Sequence, residues 1–165
     1  MRYRHNHSII IGVNMSYLLH PPTGPGFIYF IRNPSIPNEY KIGYSIDPID
    51  RAKQLSSTGV SNELSVHRVV QVQNMLVIEK TIHEYYNANR IHPSKEWFYI
   101  VSPHQALQLN IDFIESVEWE QLTEWLDIHI DAILEGFRDI DIDHKEISVR
   151  YLTQMHNESS KHKYF

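Results

Sequence analysis

The sequence predicts an α/β fold of the α+β kind: a small three-stranded antiparallel sheet flanked by helices, with a C-terminal helical extension. Three observations carry this expectation. Hydrophobic residues make up 42% of the 165 residues, ample for a packed core. Two segments rich in aromatic and β-branched residues, "GFIYFIRN" (Gly26–Asn33) and "YKIGYS" (Tyr40–Ser45), flank a loop with two prolines and read as an antiparallel hairpin. From Met75 onward the apolar residues recur mainly at helical spacing.

Each element has its own signal. Residues 1–20 show no clear period, and "HPPTGPG" (His20–Gly26) has turn and linker chemistry, so residues 1–25 read as an N-terminal arm. The first strand ends at Asn33-Pro34. After the return strand, Asp47-Pro48 offers a carboxylate at the N-cap and proline at the first helical position, predicting a helix from Pro48 to Ser57 that stops near Gly59. Leu64–Val72 alternates and is β-branched, giving the third strand. Leu76, Ile78, Ile82, Tyr85 and Tyr86 suit an amphipathic helix over Met75–Asn89.

"EWFYIV" (Glu96–Val101) reads as a short aromatic strand or a buried arm, closing a core over residues 26–101. Ser102-Pro103 opens a further helix, and Glu118–Phe137 predicts an acidic one with Trp119, Leu122, Trp125, Leu126 and Ile130 roughly on one face. "DIDIDHKEISV" is either a short strand or an acidic loop, and Thr153–Phe165 a frayed, flexible tail. Residues 102–165 thus read as an acidic helical extension.

Composition bounds the function. The chain has no cysteine, which excludes disulfides and cysteine-based zinc sites and fits a reducing interior. The run "IIIGV" is far too short to cross a bilayer, and Met1–His7 has no signal-peptide pattern behind it, so a soluble, cytoplasmic protein without a membrane partner is expected. Net charge is −5, but thirteen of the twenty acidic residues fall in 101–165, and residues 27–100 are slightly basic. That balance argues weakly against a bare phosphate-binding surface. His5 and His7 lie two apart with no third ligand in view, which does not make a zinc site.

An ordered set of residues points further: "FIY" (Phe27–Tyr29), then "KIG" (Lys41–Gly43), Arg51 ten residues beyond the lysine, Glu79 on a helix, then His83, Tyr86, Arg90 and Glu96-Trp97-Phe98. This set resembles the GIY-YIG nuclease superfamily, and most closely its phage- and bacteria-associated branch, where the second triplet is often "KIG" and the core closes with "EWF". The resemblance covers Phe27–Ile100.

It implies a divalent-metal-dependent endonuclease acting on DNA, double-stranded by preference, with a partner chain or homodimer supplying specificity. Glu79 would hold Mg²⁺ or Mn²⁺, which one carboxylate, waters and a substrate phosphate commonly suffice to do. Arg51, a permanent forked donor, would grip the scissile phosphate, with Lys53 and Arg90 as further substrate contacts. Tyr29 would accept a proton or orient water, helped by Lys41, because a phenol near pKa 10 is a poor base unless a cation lowers it. Tyr44 would be an auxiliary hydrogen-bonding residue, and His83 would orient Glu79 or contact phosphate. Gly43 would let the backbone approach substrate or helix closely.

Two departures from the superfamily pattern are visible. Leu55 stands one turn after Arg51, where a histidine or tyrosine is usual, and Asn87 and Asn89 do not match the spacing of a late asparagine. The alternative function is therefore a non-catalytic nucleic-acid-binding or protein-interaction module on the same fold. The acidic C-terminal third could also mimic nucleic acid or cover the cleft.

Overall fold

Aromatic and β-branched residues over Gly26–Arg32 form β1, which pairs antiparallel with β2 (Glu39–Ser45). Asn33 holds the turn between them: its carbonyl accepts from the Ile36 N–H at 3.1 Å and its side chain from the Ser35 N–H at 2.9 Å. The computed structural model describes residues 24–56 and 63–162. His5, His7 and the expected stop at Gly59 lie outside them.

Helix α1 (Pro48–Ser56) starts as its sequence demands, with Asp47 Oδ1 accepting from the Asp50 N–H at 3.0 Å. Strand β3 (Ser65–Val72) pairs with the other edge of β1, with a register shift between Phe30 and Ile31. Helix α2 (Met75–Tyr85) is shorter than expected. Its last turn tightens into a single 3₁₀ turn at Asn87–Asn89, where the Asn89 amide donates to Tyr99 O and Gln105 Oε1, both at 3.1 Å. After β4 (Trp97–Tyr99), Ser102 and Gln105 form a reciprocal capping box at the start of α3 (Pro103–Gln108). The long α4 (Trp119–Asp139), β5 (His144–Ile147) and α5 (Val149–His162) complete the order.

The sheet is larger than the three strands expected. It has five, in the order β4-β2-β1-β3-β5, and every neighbouring pair is antiparallel. The fold is α+β. Both added strands lie at the ends of the sheet: β4 pairs with Glu39–Lys41 and is bridged on its other side by Arg90 at Phe98, and β5 pairs with Val69–Val72. Segments of three and four residues become strands because an existing edge offers unpaired backbone groups, a cause that lies outside the segment itself. Arg68 on β3 fastens β5, reaching Glu146 at 2.6 Å and also Asp131 of α4 at 2.8 Å. Thr153 to His162, expected as a frayed tail, forms most of α5, because Val149 and Leu152 pack on the sheet and anchor its first turn.

Alternation divides the sheet into two faces. Ile28, Phe30, Tyr40, Ile42, Val70 and Val72 join α2 and α4 in the larger core. The opposite face carries Tyr29, Ile31 and Val69, covered by Ala52 and Leu55 of α1 and by α5. Leu55, at the departure noted above, is apolar packing. Buried Arg32 ties the long helix to β1 by donating to Thr123 Oγ1 and Pro37 O, its guanidinium stacked 3.4 Å over the Trp119 ring. Among the described residues no helix is long and apolar enough to cross a membrane.

Candidate active site

The register of β1 on β2 builds the site. Tyr29 pairs with Gly43 and Ile31 with Lys41, so the tyrosine and the lysine share the α1 face of the sheet. The Tyr29 ring lies flat against Gly43: a Cβ there would sit 2.2 Å from the phenol oxygen and 2.3 Å from Cζ. The glycine therefore makes room for Tyr29, not for substrate or a helix as expected. Arg51, on the first turns of α1, is exposed, donates to Gln54 Oε1 at 3.4 Å and lies close enough to the phenol for its charge to act on it.

On the outer side of β2 the partner strand stops at the Lys41–Trp97 pair. One backbone contact extends beyond it, from the Ile42 N–H to Glu96 O at 3.2 Å. The Ile42 carbonyl is taken by His83 Nε2 at 2.8 Å, so a side chain of α2 completes the edge ladder where β4 ends. One helical turn earlier, buried Glu79 places Oε1 3.1 Å from the same nitrogen. The opposite ring nitrogen, Nδ1, lies 2.8 Å from an Arg90 guanidinium nitrogen. Arginine can only donate, so Nδ1 accepts, and the ring is neutral with its proton on Nε2. Burial and the Arg90 charge both favour that neutral form, against the pull of the Ile42 carbonyl.

Lys41 is buried, and its ammonium donates to Glu96 Oε2 at 2.6 Å. Glu96 is the member of this cluster that sequence reasoning missed, although it opens the "EWF" signature. Burial alone would raise its carboxyl, but the bond and charge of Lys41 hold it below the usual range. Glu79 behaves oppositely. Burial first, then the Glu96 charge, push its carboxyl up to about 7, while Lys80, Lys41 and Arg90 pull it back only partly. The two carboxylates thus repel each other across the cleft, which is the electrostatic situation a divalent cation would relieve.

Tyr29 is pushed above its ordinary range by burial, with Glu96 and Glu79 adding to the rise, and the nearby Arg51 does not overcome this. The cation acting on the phenol is Arg51 and not Lys41, whose charge is spent on Glu96. An open groove of about 740 Å³ runs along the α2 side, with Tyr44, Glu79, Lys80, His83, Arg90 and Glu96 in its wall. Lys53 is an exposed residue of α1 outside this groove. Of the asparagines, Asn87 reaches the groove wall, whereas Asn89 is held by Tyr99 and Gln105. Among the described residues no group of three or more histidine, aspartate or glutamate side chains is placed to enclose a metal. A cation at Glu79 would therefore keep most of its coordination for water and substrate, as Mg²⁺ commonly does.

No curated protein and no solved structure matches the chain. The model of the T5orf172 domain matches residues 26–141, from the first strand through the long helix, and so spans the whole cluster just described. That match covers well over half of the chain, which therefore belongs to the T5orf172 domain family, a phage-associated domain found in some nuclease-like proteins.

Proposed function

We propose that this protein is a divalent-metal-dependent endonuclease of the GIY-YIG type that hydrolyses DNA phosphodiester bonds at the open half of the β2 edge. The observation that carries the reading is a carboxyl, Glu79, buried beside His83 in the groove wall, with the Glu96 carboxylate close enough to help raise it to about 7 and both charges felt at Tyr29. A buried carboxyl repelled by the half-exposed carboxylate of Glu96 costs stability and is better explained by a cation and a phosphate than by folding. Family membership supports a nuclease or DNA-binding role at the coarser level.

In this reading Glu79 would hold Mg²⁺ or Mn²⁺, which would offset phosphate charge and make water a better nucleophile. Arg51, exposed and close to the phenol, grips a non-bridging oxygen and adds its charge where negative charge grows. Tyr29 stays protonated at neutral pH, so its own O–H orients the attacking water and does not deprotonate it. Lys41 acts through Glu96, keeping that carboxylate ionised near Glu79. Tyr44, 36% exposed at the groove, is available to a substrate oxygen or sugar.

A supercoiled-plasmid assay tests this. Nicking is expected with Mg²⁺ or Mn²⁺, none with EDTA, and a loss of about 10²–10³-fold in Arg51→Ala. Leu55, which packs where the superfamily usually has a histidine or tyrosine, and Asn89, which is clamped by Tyr99 and Gln105, favour a second reading: a non-catalytic DNA-binding module. Folded wild-type protein that binds DNA in EDTA but leaves plasmid intact with either metal would establish the module instead.

A further inference from the structure

Arg90 lines the groove and invites assignment as a phosphate contact, yet each of its terminal nitrogens already holds a partner within the chain. One terminal nitrogen donates to His83 Nδ1 at 2.8 Å and the other to the Pro93 carbonyl at 3.3 Å. The guanidinium carbon sits 5.6 Å from the Phe98 ring centre, over a residue that is fully buried. Nε is buried and, among the described residues, has no hydrogen-bond partner. A guanidinium held at both terminal nitrogens and over a ring cannot turn its fork to a phosphate without breaking these contacts.

We propose that Arg90 is a positioning residue for the cleavage reaction, acting through His83 on Glu79. The inference rests on the endonuclease reading. By donating to Nδ1, Arg90 fixes the imidazole in the tautomer whose Nε2–H faces the Ile42 carbonyl and Glu79 Oε1. The other tautomer would set two donors against each other at Nδ1 and leave Nε2 as an acceptor facing two acceptors. The chain Arg90, His83, Ile42 therefore pins α2 to the edge of β2, and Glu79, one turn along the same helix, is aimed by it. Such outer partners of a metal-holding side chain commonly alter affinity or activity 10–100-fold when removed.

The test uses full-length wild type, Arg90→Met, Arg90→Lys, His83→Asn and the double variant Arg90→Met/His83→Asn, with folding checked by circular dichroism. Three readouts separate the roles. Duplex-DNA affinity in EDTA, measured against salt, should keep its slope in Arg90→Met, whereas a lost phosphate contact would reduce the slope by about 0.9. Nicking should fall about 10–100-fold in kcat with KM little changed, and the loss should vanish in the His83→Asn background, since Arg90 acts through that ring. Nitrogen-15 shifts of the His83 ring should show Nε2 protonated in wild type and a tautomer mixture in Arg90→Met. Should the Met variant not fold, the same readouts on Arg90→Lys decide the matter. A reduced salt slope, a raised KM, or additive losses in the double variant would overturn the proposal. If plasmid stays intact in every variant, the nuclease reading fails alone, and the salt slope and ring nitrogens still decide what Arg90 does.

Discussion

Glu79→Gln is expected to stabilise the metal-free protein at pH 8 by about 1–3 kcal/mol while leaving its stability near pH 4 almost unchanged. The reason is the carboxyl pKa of about 7 in the folded chain, set by burial and the Glu96 charge. A raised pKa means that the folded state holds this proton more tightly than the unfolded chain does. The stability it contributes is complete below about pH 4.5, the unfolded value, and is lost as pH rises through 7. Glutamine keeps the shape without the ionisation, so the difference between variant and wild type isolates this one group. Urea unfolding in EDTA at pH 4, 6 and 8 measures it. A variant no more stable than wild type at pH 8 would mean that Glu79 is paid no such penalty. Mg²⁺ added at pH 8 should raise the wild-type midpoint and not the variant's, because only a ligand of the folded state shifts the equilibrium.

Gly43→Ala is expected to cost about 1–3 kcal/mol and to remove most cleavage activity. The new methyl would overlap the Tyr29 ring, whose oxygen and Cζ lie 2.2 and 2.3 Å from the Cβ position. Tyr29 is 2% exposed and packed among Ile31, Ala52 and Val69, so the ring has little room to retreat. Either the phenol leaves Arg51 or the strand shifts, and each outcome dismantles the site. Tyr29→Leu in the same chain removes the obstructing atoms, so Gly43→Ala/Tyr29→Leu should regain stability but not cleavage. Denaturant midpoints beside nicking rates read both effects. A stable, active Gly43→Ala would contradict the register on which the site is built.

What could be read from the sequence was what lies close along the chain. The hairpin, the Asp47–Pro48 helix start and the amphipathic helix bearing Glu79 and His83 depend on local chemistry, and each formed near its expected position. The sequence put Tyr29 and Lys41 on paired strands, and the register of that hairpin sets them on one face. What depends on distant partners could not be read. β5 is a strand because β3 offers an edge some seventy residues earlier, and α5 is ordered because the sheet's second face needs cover. Lys41 was expected to act on Tyr29, yet its ammonium meets Glu96, which approaches only because β4 closes on β2. Likewise Arg90 was expected as a substrate contact, yet the 3₁₀ turn at Asn87–Asn89 brings it back to His83.

The measurement that tests the central claim most directly is cleavage of supercoiled plasmid by wild type and Glu79→Gln over a range of Mn²⁺ concentrations. Both proteins should first be shown to be folded and to bind duplex DNA equally in EDTA. The account predicts metal-dependent nicking by wild type and a loss of about 10²-fold or more in the variant, despite its greater stability at pH 8. Equal nicking by the two proteins, or none by folded wild type, would contradict it.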